Sequence, residues 1–167
     1  MDQLTEILRR LHDAKVEFSL IGGFASRFYG VSLVTEDVDV CARFSPDNLR
    51  RIESALKEFN PFHRLTANKL PLELTDELCS RLKNLYLKTD IGILDCLSEV
   101  AGVGDFDAVL KQSQKVSFPF GHCYILKIEA LIQAKQAVGR QHDLITVQQL
   151  SAIKAKLEKQ PELKLDF

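Results

Sequence analysis

A chain of 167 residues, 46% hydrophobic and 27% charged, is long enough to bury one sizeable core and short for two. Its net charge of -1 excludes a global attraction to nucleic acid or anionic membranes, so a polyanionic ligand would need a dedicated local site. No apolar run approaches the roughly 18 residues of a membrane span, and residues 1–14 lack a signal-peptide pattern, which together point to a cytoplasmic protein without membrane contact.

Leu4, Ile7, Leu8 and Leu11 recur at helical spacing and predict a first helix over 2–14. A short buried strand over 16–21 follows, then a two-turn helix over 23–29 stopped at Gly30. The second strand spans 37–42; its alternation puts Asp37 and Asp39 on one face, Val38 and Val40 on the other. Ser45 as cap, Pro46 in the first helical position and Asp47 in the first turn delimit the next helix. Residues 60–74, with two prolines and mixed polarity, read as an irregular excursion that decides little.

A short helix is expected over 75–82, and two apolar runs flanking Thr89 and Asp90 predict an antiparallel hairpin with Asp95 in its second arm. Strands over 114–118 and 123–126 lead into a helix over 128–138. The last helix runs from about 144 to 157 with Asp143 as its cap, and the polar tail from 158 is expected to fray. Hairpin neighbours alternate with strands far apart in sequence. That mixture predicts an α+β fold, a mixed sheet with helices packed on it, rather than a doubly wound parallel sheet. No linker or repeat divides the chain, so 1–167 reads as a single domain ending in a helix pair over about 127–157. Cys41, Cys79, Cys96 and Cys123 form no CxxC pair and read as buried reduced thiols.

Two features carry chemistry. Gly22 and Gly23 stand at a strand-to-helix junction, where bare backbone and a helix N-terminus suit a phosphate, although a tight turn alone would also explain them. Asp37 and Asp39 repel each other unless a cation lies between them, and paired carboxylates are what a magnesium site for nucleotide phosphates requires. The alternative is two solvated aspartates on an edge strand. Should the Asp95 strand neighbour 37–42, three carboxylates converge.

Gly22-Gly23, Asp37-Val38-Asp39 and the later Asp95 together resemble the signature of the DNA polymerase beta-like nucleotidyltransferase superfamily. More closely, IGGFASRFYGVSLVTEDVDV resembles the small bacterial and archaeal nucleotidyltransferases that include toxins of abortive-infection toxin-antitoxin pairs. DIGILDCL and KIEALIQAKQAVGRQHDLITVQQL resemble that group's third-acid strand and C-terminal helix pair. The resemblance implies a nucleotidyltransferase-like fold and an NTP substrate, with two Mg2+ ions held by Asp37, Asp39 and Asp95. It implies that Gly22 and Gly23, assisted by Ser26, cradle the phosphates, and that Asp95 orients or deprotonates an acceptor hydroxyl. Lys135 would neutralise the triphosphate and Arg140 would brace it or a carboxylate. Taken without the resemblance, both cations suit a helix C-terminus, and Arg140 with Asp143 suits a structural ion pair.

Leu33 departs from the pattern, because relatives often carry a basic residue there; Arg27 would supply the charge, or triphosphate affinity would be lower. His12, His63, His122 and His142 show no ligand spacing and read as surface residues. The expected activity is transfer of a nucleoside monophosphate to a hydroxyl on a protein, a tRNA or a small aminoglycoside-like molecule. An antitoxin partner or a homodimer would complete so short a chain's acceptor site. Two rivals remain, a nucleotide- or partner-binding module without turnover and a purely structural protein.

Overall fold

The structure, a computed structural model, describes residues 1–160, so the expected frayed tail lies outside the described residues from 161 onward. Helix α1 (Gln3–Asp13) starts where the Asp2 carboxylate accepts the Thr5 amide at 2.7 Å, and it buries Ile7, Leu8 and Leu11. Strand β1 (Phe18–Ile21) runs directly into α2 (Gly22–Phe28), and β2 (Asp37–Ala42) returns antiparallel to β1. Helix α3 (Pro46–Leu56) has the expected Ser45 cap and Pro46 start. The hairpin forms as β4 (Asn84–Thr89) and β5 (Gly92–Leu97), after a short α4 (Asp76–Arg81).

Three segments differ from expectation. The excursion over 60–74 holds a strand, β3 (Phe62–His63), which pairs with β4 and carries the chain into the site through Arg64. It is too short for any alternation to show. Between β5 and the next long strand, where no element was expected, lie a small ladder of β6 (Glu99–Val100) with β7 (Gly104–Asp105) and helix α5 (Phe106–Lys111). Strands β8 (Ser113–Phe118) and β9 (Gly121–Leu126) then lead to α6 (Ile128–Val138), which Gly139 ends at φ +69°. Helix α7 (Gln141–Lys159) begins three residues before the expected start, with Arg140 as its N-cap. Asp143 is not the cap; it sits one turn inside and accepts the Arg140 amide.

The main sheet has seven strands in the order β3-β4-β5-β2-β1-β9-β8, antiparallel except for β2 beside β5 and β1 beside β9. This is a mixed sheet with helices packed on it, an α+β architecture. Val38, Val40, Leu94 and Cys96, all fully buried, alternate away from the carboxylate face and share one core with Ile7, Leu8 and Leu11 of α1 and Ile52 of α3. All four cysteines are free and buried, as read from their spacing. Burial pushes the Cys41 and Cys123 thiols up to about 12, which makes them inert at neutral pH. None of the described helices is long and apolar enough to cross a membrane.

Candidate active site

Strand β2 is interior, paired with β1 on one side and β5 on the other, so the edge-strand reading of Asp37 and Asp39 does not hold. Register does the rest. Asp39 stands opposite Ile21 at the end of β1 and opposite Asp95 on β5, and one oxygen from each of Asp37, Asp39 and Asp95 lies within 4.8 Å of the others. Three carboxylates from two parallel neighbours thus share one corner of the sheet face.

The β1-to-α2 junction closes that corner. Gly22 has φ +67°, and a Cβ placed there would come within 2.3 Å of Asp39 Oδ2, so only glycine allows the turn and the carboxylate to sit together. The Gly23 amide hydrogen-bonds Asp39, and the Thr35 hydroxyl donates to the Asp37 main-chain oxygen at 3.0 Å and its carboxylate at 3.2 Å. Burial, then the charges of Asp37 and Asp95, push Asp39 up to about 6, and Lys135 and the Gly23 amide only partly offset this. Such a carboxylate is short of positive charge.

Three oxygen donors within this span, with the charge deficit at Asp39, fit a hard divalent cation. Magnesium in particular is held by one or two carboxylates plus substrate phosphates, which leaves room for exchange at the third acid.

That third acid already has a partner. Arg64 straddles the nearly buried Asp95, with Nε 2.9 Å from Oδ1 and Nη2 2.5 Å from Oδ2, and lies over the Tyr86 ring at 5.4 Å. Sequence reading missed Arg64, which lies 31 positions from Asp95 in a segment with no periodicity. No local signal marks it.

The cations of the C-terminal helix pair are also paired. Asp143 is fully buried; Arg140 Nε donates to it at 2.7 Å and Lys135 Nζ lies 3.5 Å away. Burial opposes its ionisation, but the Arg140 hydrogen bond and the fields of Lys135, Arg140 and His142 outweigh that and hold it below the ordinary carboxylate range. The structural ion pair read from Arg140 and Asp143 is therefore present, and Lys135 joins it. Both cations nonetheless border a cavity of about 450 Å³ that opens over Gly23, Asp37 and Asp39 between Leu33 and Ile145. A second cavity of about 230 Å³, walled by Leu97, Val100 and Leu131, shares Asp39, Lys135 and Arg140 with it.

Two of the sequence candidates face elsewhere. Ser26 is fully buried and donates its hydroxyl to the Gly22 carbonyl at 3.1 Å, which braces the first turn of α2. Arg27 is exposed and lines neither cavity; its charge adds to the Thr5 amide bond in holding Asp2 below its ordinary value.

The sequence matches no protein-family model and no curated protein. Similar solved structures do exist. A putative nucleotidyltransferase from Thermotoga maritima superposes with a TM-score of 0.56 at 16% identity, over 87% of this chain and 90% of that one. The antibiotic-resistance factor ANT(2'')-Ia, solved in complex with adenylyl-2''-tobramycin, gives 0.52 at 12% identity over 93% of this chain and 95% of that one. Its solution structure gives 0.51 at 11% identity over 97% and 96%. At these identities the likeness is one of fold, and the fold is nucleotidyltransferase-like.

Proposed function

We propose that the protein is a magnesium-dependent nucleotidyltransferase that moves a nucleoside monophosphate from an NTP to a hydroxyl acceptor and releases pyrophosphate. The observation that carries this reading is the convergence of Asp37, Asp39 and Asp95 within 4.8 Å beside the Gly22 turn. Magnesium held by these carboxylates would supply charge neutralisation at the phosphates and stabilise an in-line displacement. The chain's own groups would do the positioning. Bare backbone at Gly22 and Gly23 lets phosphate oxygens approach the start of α2. Lys135 and Arg140 exchange Asp143 for the triphosphate, Lys135 as a point charge and Arg140 by its planar fork. Asp95 orients the acceptor hydroxyl and accepts its proton once Arg64 has moved aside. Ser26 acts indirectly, through the Gly22 carbonyl, and Arg27 lies too far round α2 to replace the charge absent at Leu33.

In this reading the protein is cytoplasmic, and an antitoxin-like partner or a second copy completes the acceptor side. The acceptor is a protein, a tRNA or a small molecule. A second reading, a nucleotide-binding or partner-binding module without turnover, is favoured by one observation: Asp95 is tied to Arg64 while Lys135 and Arg140 are tied to Asp143.

Mass spectrometry after incubation with each NTP and Mg2+, against an Asp37→Ala, Asp39→Ala double variant, separates the two. Transfer predicts a mass gain of one or more nucleoside monophosphates on the protein or an added acceptor, absent in the variant. No gain on any acceptor, with NTP still raising the melting temperature, favours the binding module.

A further inference from the structure

Beyond the three carboxylates, the same sheet face changes sign. Tyr86 of β4 pairs in register with Asp95, and Lys88 with Ile93, so Tyr86 and Lys88 share the carboxylate face. Phe62 of β3 pairs with Lys88, and Arg64, two residues on, takes the Tyr86 carbonyl through its amide. Lys69 lies over the Phe62 ring at 6.0 Å, as Arg64 lies over Tyr86. The outer strands and the segment that follows β3 therefore present three cations, Arg64, Lys69 and Lys88, and two rings on the side of the third acid.

The link between the halves is the Arg64–Asp95 pair. The guanidinium fork takes one acceptor site on each Asp95 oxygen, so an acceptor hydroxyl has to share this carboxylate with a cation that already engages both oxygens. An acceptor that also draws Arg64 away leaves Asp95 the better base, and the group that best replaces a carboxylate on an arginine fork is a phosphate, which accepts the same two parallel hydrogen bonds. A polycationic acceptor would do the reverse: it would meet Arg64, Lys88 and Lys69 as like charges.

We propose that the acceptor carries a phosphate beside its reacting hydroxyl, as a nucleotide or the end of a single-stranded nucleic acid does, and that this phosphate draws Arg64 off Asp95. The acceptor oxygen then attacks the α-phosphorus, its proton passes to Asp95, and the bond to the departing pyrophosphate breaks with the electron pair leaving on pyrophosphate. Bases next to that phosphate stack on Tyr86 and Phe62, where ring faces and cations alternate as in single-strand binding surfaces. Arg64 thereby selects the acceptor class and gates Asp95. The reaction rests on the transferase reading above; the binding does not.

The test is fluorescence anisotropy of a short labelled single-stranded oligonucleotide at low salt, on the wild type, Arg64→Gln and the exposed-site variant Lys88→Gln, each checked for its thermal transition. Binding by the wild type, weakened about tenfold by Arg64→Gln and several-fold by Lys88→Gln, and falling as salt rises, is the expected result. Competition then separates the sources of the phosphate: a nucleoside monophosphate that displaces the oligonucleotide at comparable concentration marks a small acceptor, and one that does not marks a polymer end. No binding by the wild type, equal binding by both variants, or tighter binding of a polycationic aminoglycoside overturns the proposal. The two readings fail separately. Nucleoside monophosphate transfer to a protein or aminoglycoside with no oligonucleotide binding sinks the acceptor class and keeps the transferase. Arg64-dependent binding with no transfer to any acceptor does the opposite.

Discussion

The two walls of the central cavity are both rich in charge, yet they stand in different electrical states. On the sheet, Asp37 and Asp39 lie side by side with no cationic hydrogen-bond partner among the described residues, and Asp39 is driven up to about 6 by burial and by its acidic neighbours. On the helix pair, Lys135 and Arg140 are both engaged by the buried Asp143. One wall is short of a counter-ion, and the other has built its own. The difference teaches where ligand energy would go. A cation entering at the sheet relieves repulsion already present in the fold, whereas an anion entering at the helices must first displace an internal partner.

The largest effect should come from breaking the self-neutralised wall. Asp143→Asn leaves Lys135, largely buried, without its counter-charge and also weakens the cap of α7. A loss of about 2–3 kcal/mol in urea unfolding is expected, and NTP affinity should be kept or improved because the competing carboxylate is gone.

The same kind of change on the other wall should act in the opposite direction. Asp39→Asn removes a carboxylate that the fold holds at about 6 against an ordinary 3.8, so the ionised form weakens the wild type above that range. Without divalent metal at pH 8 the variant should be more stable by about 1–2 kcal/mol, discounted for partial solvent exposure. The advantage should shrink as pH falls from about 6 toward 3.8, because the folded wild type then takes up its proton before the unfolded chain does. Melting curves across that window check it, and an advantage that instead grows toward acid pH would contradict the charge account. Magnesium should narrow the gap by stabilising only the wild type.

The smallest effect sharpens the contrast from the ligand's side. Leu33 lines the larger cavity beside Gly23 and Asp37 without contributing charge. Leu33→Arg should tighten NTP binding several-fold, about 1 kcal/mol, with little change in stability, as read by titration calorimetry with Mg2+.

Much of this arrangement was legible beforehand because it is written in short-range patterns. Alternation alone put Asp37 and Asp39 on one face, Ser45 with Pro46 marked the start of α3, and the apolar runs around Thr89 and Asp90 marked the hairpin that carries Asp95. The start of α7 differs from the expected one for a physical reason. An aspartate inside the first turn accepts the N-cap amide as readily as a true cap accepts a later one, and only the distance to Arg140 tells them apart.

The sequence by itself determined which residues could share a strand face or a helix turn, since those relations span two to four positions and depend on backbone geometry alone. Tertiary structure decided which of those faces meet. The parallel pairing of β2 with β5 brought Asp95 beside Asp39. The pairing of β3 with β4 then brought Arg64 onto Asp95 from a segment that looked irregular. Burial at that junction, not residue type, set the charge balance of Asp39. These contacts join positions tens of residues apart, and their energies come from desolvation and proximity that exist only once the sheet has formed.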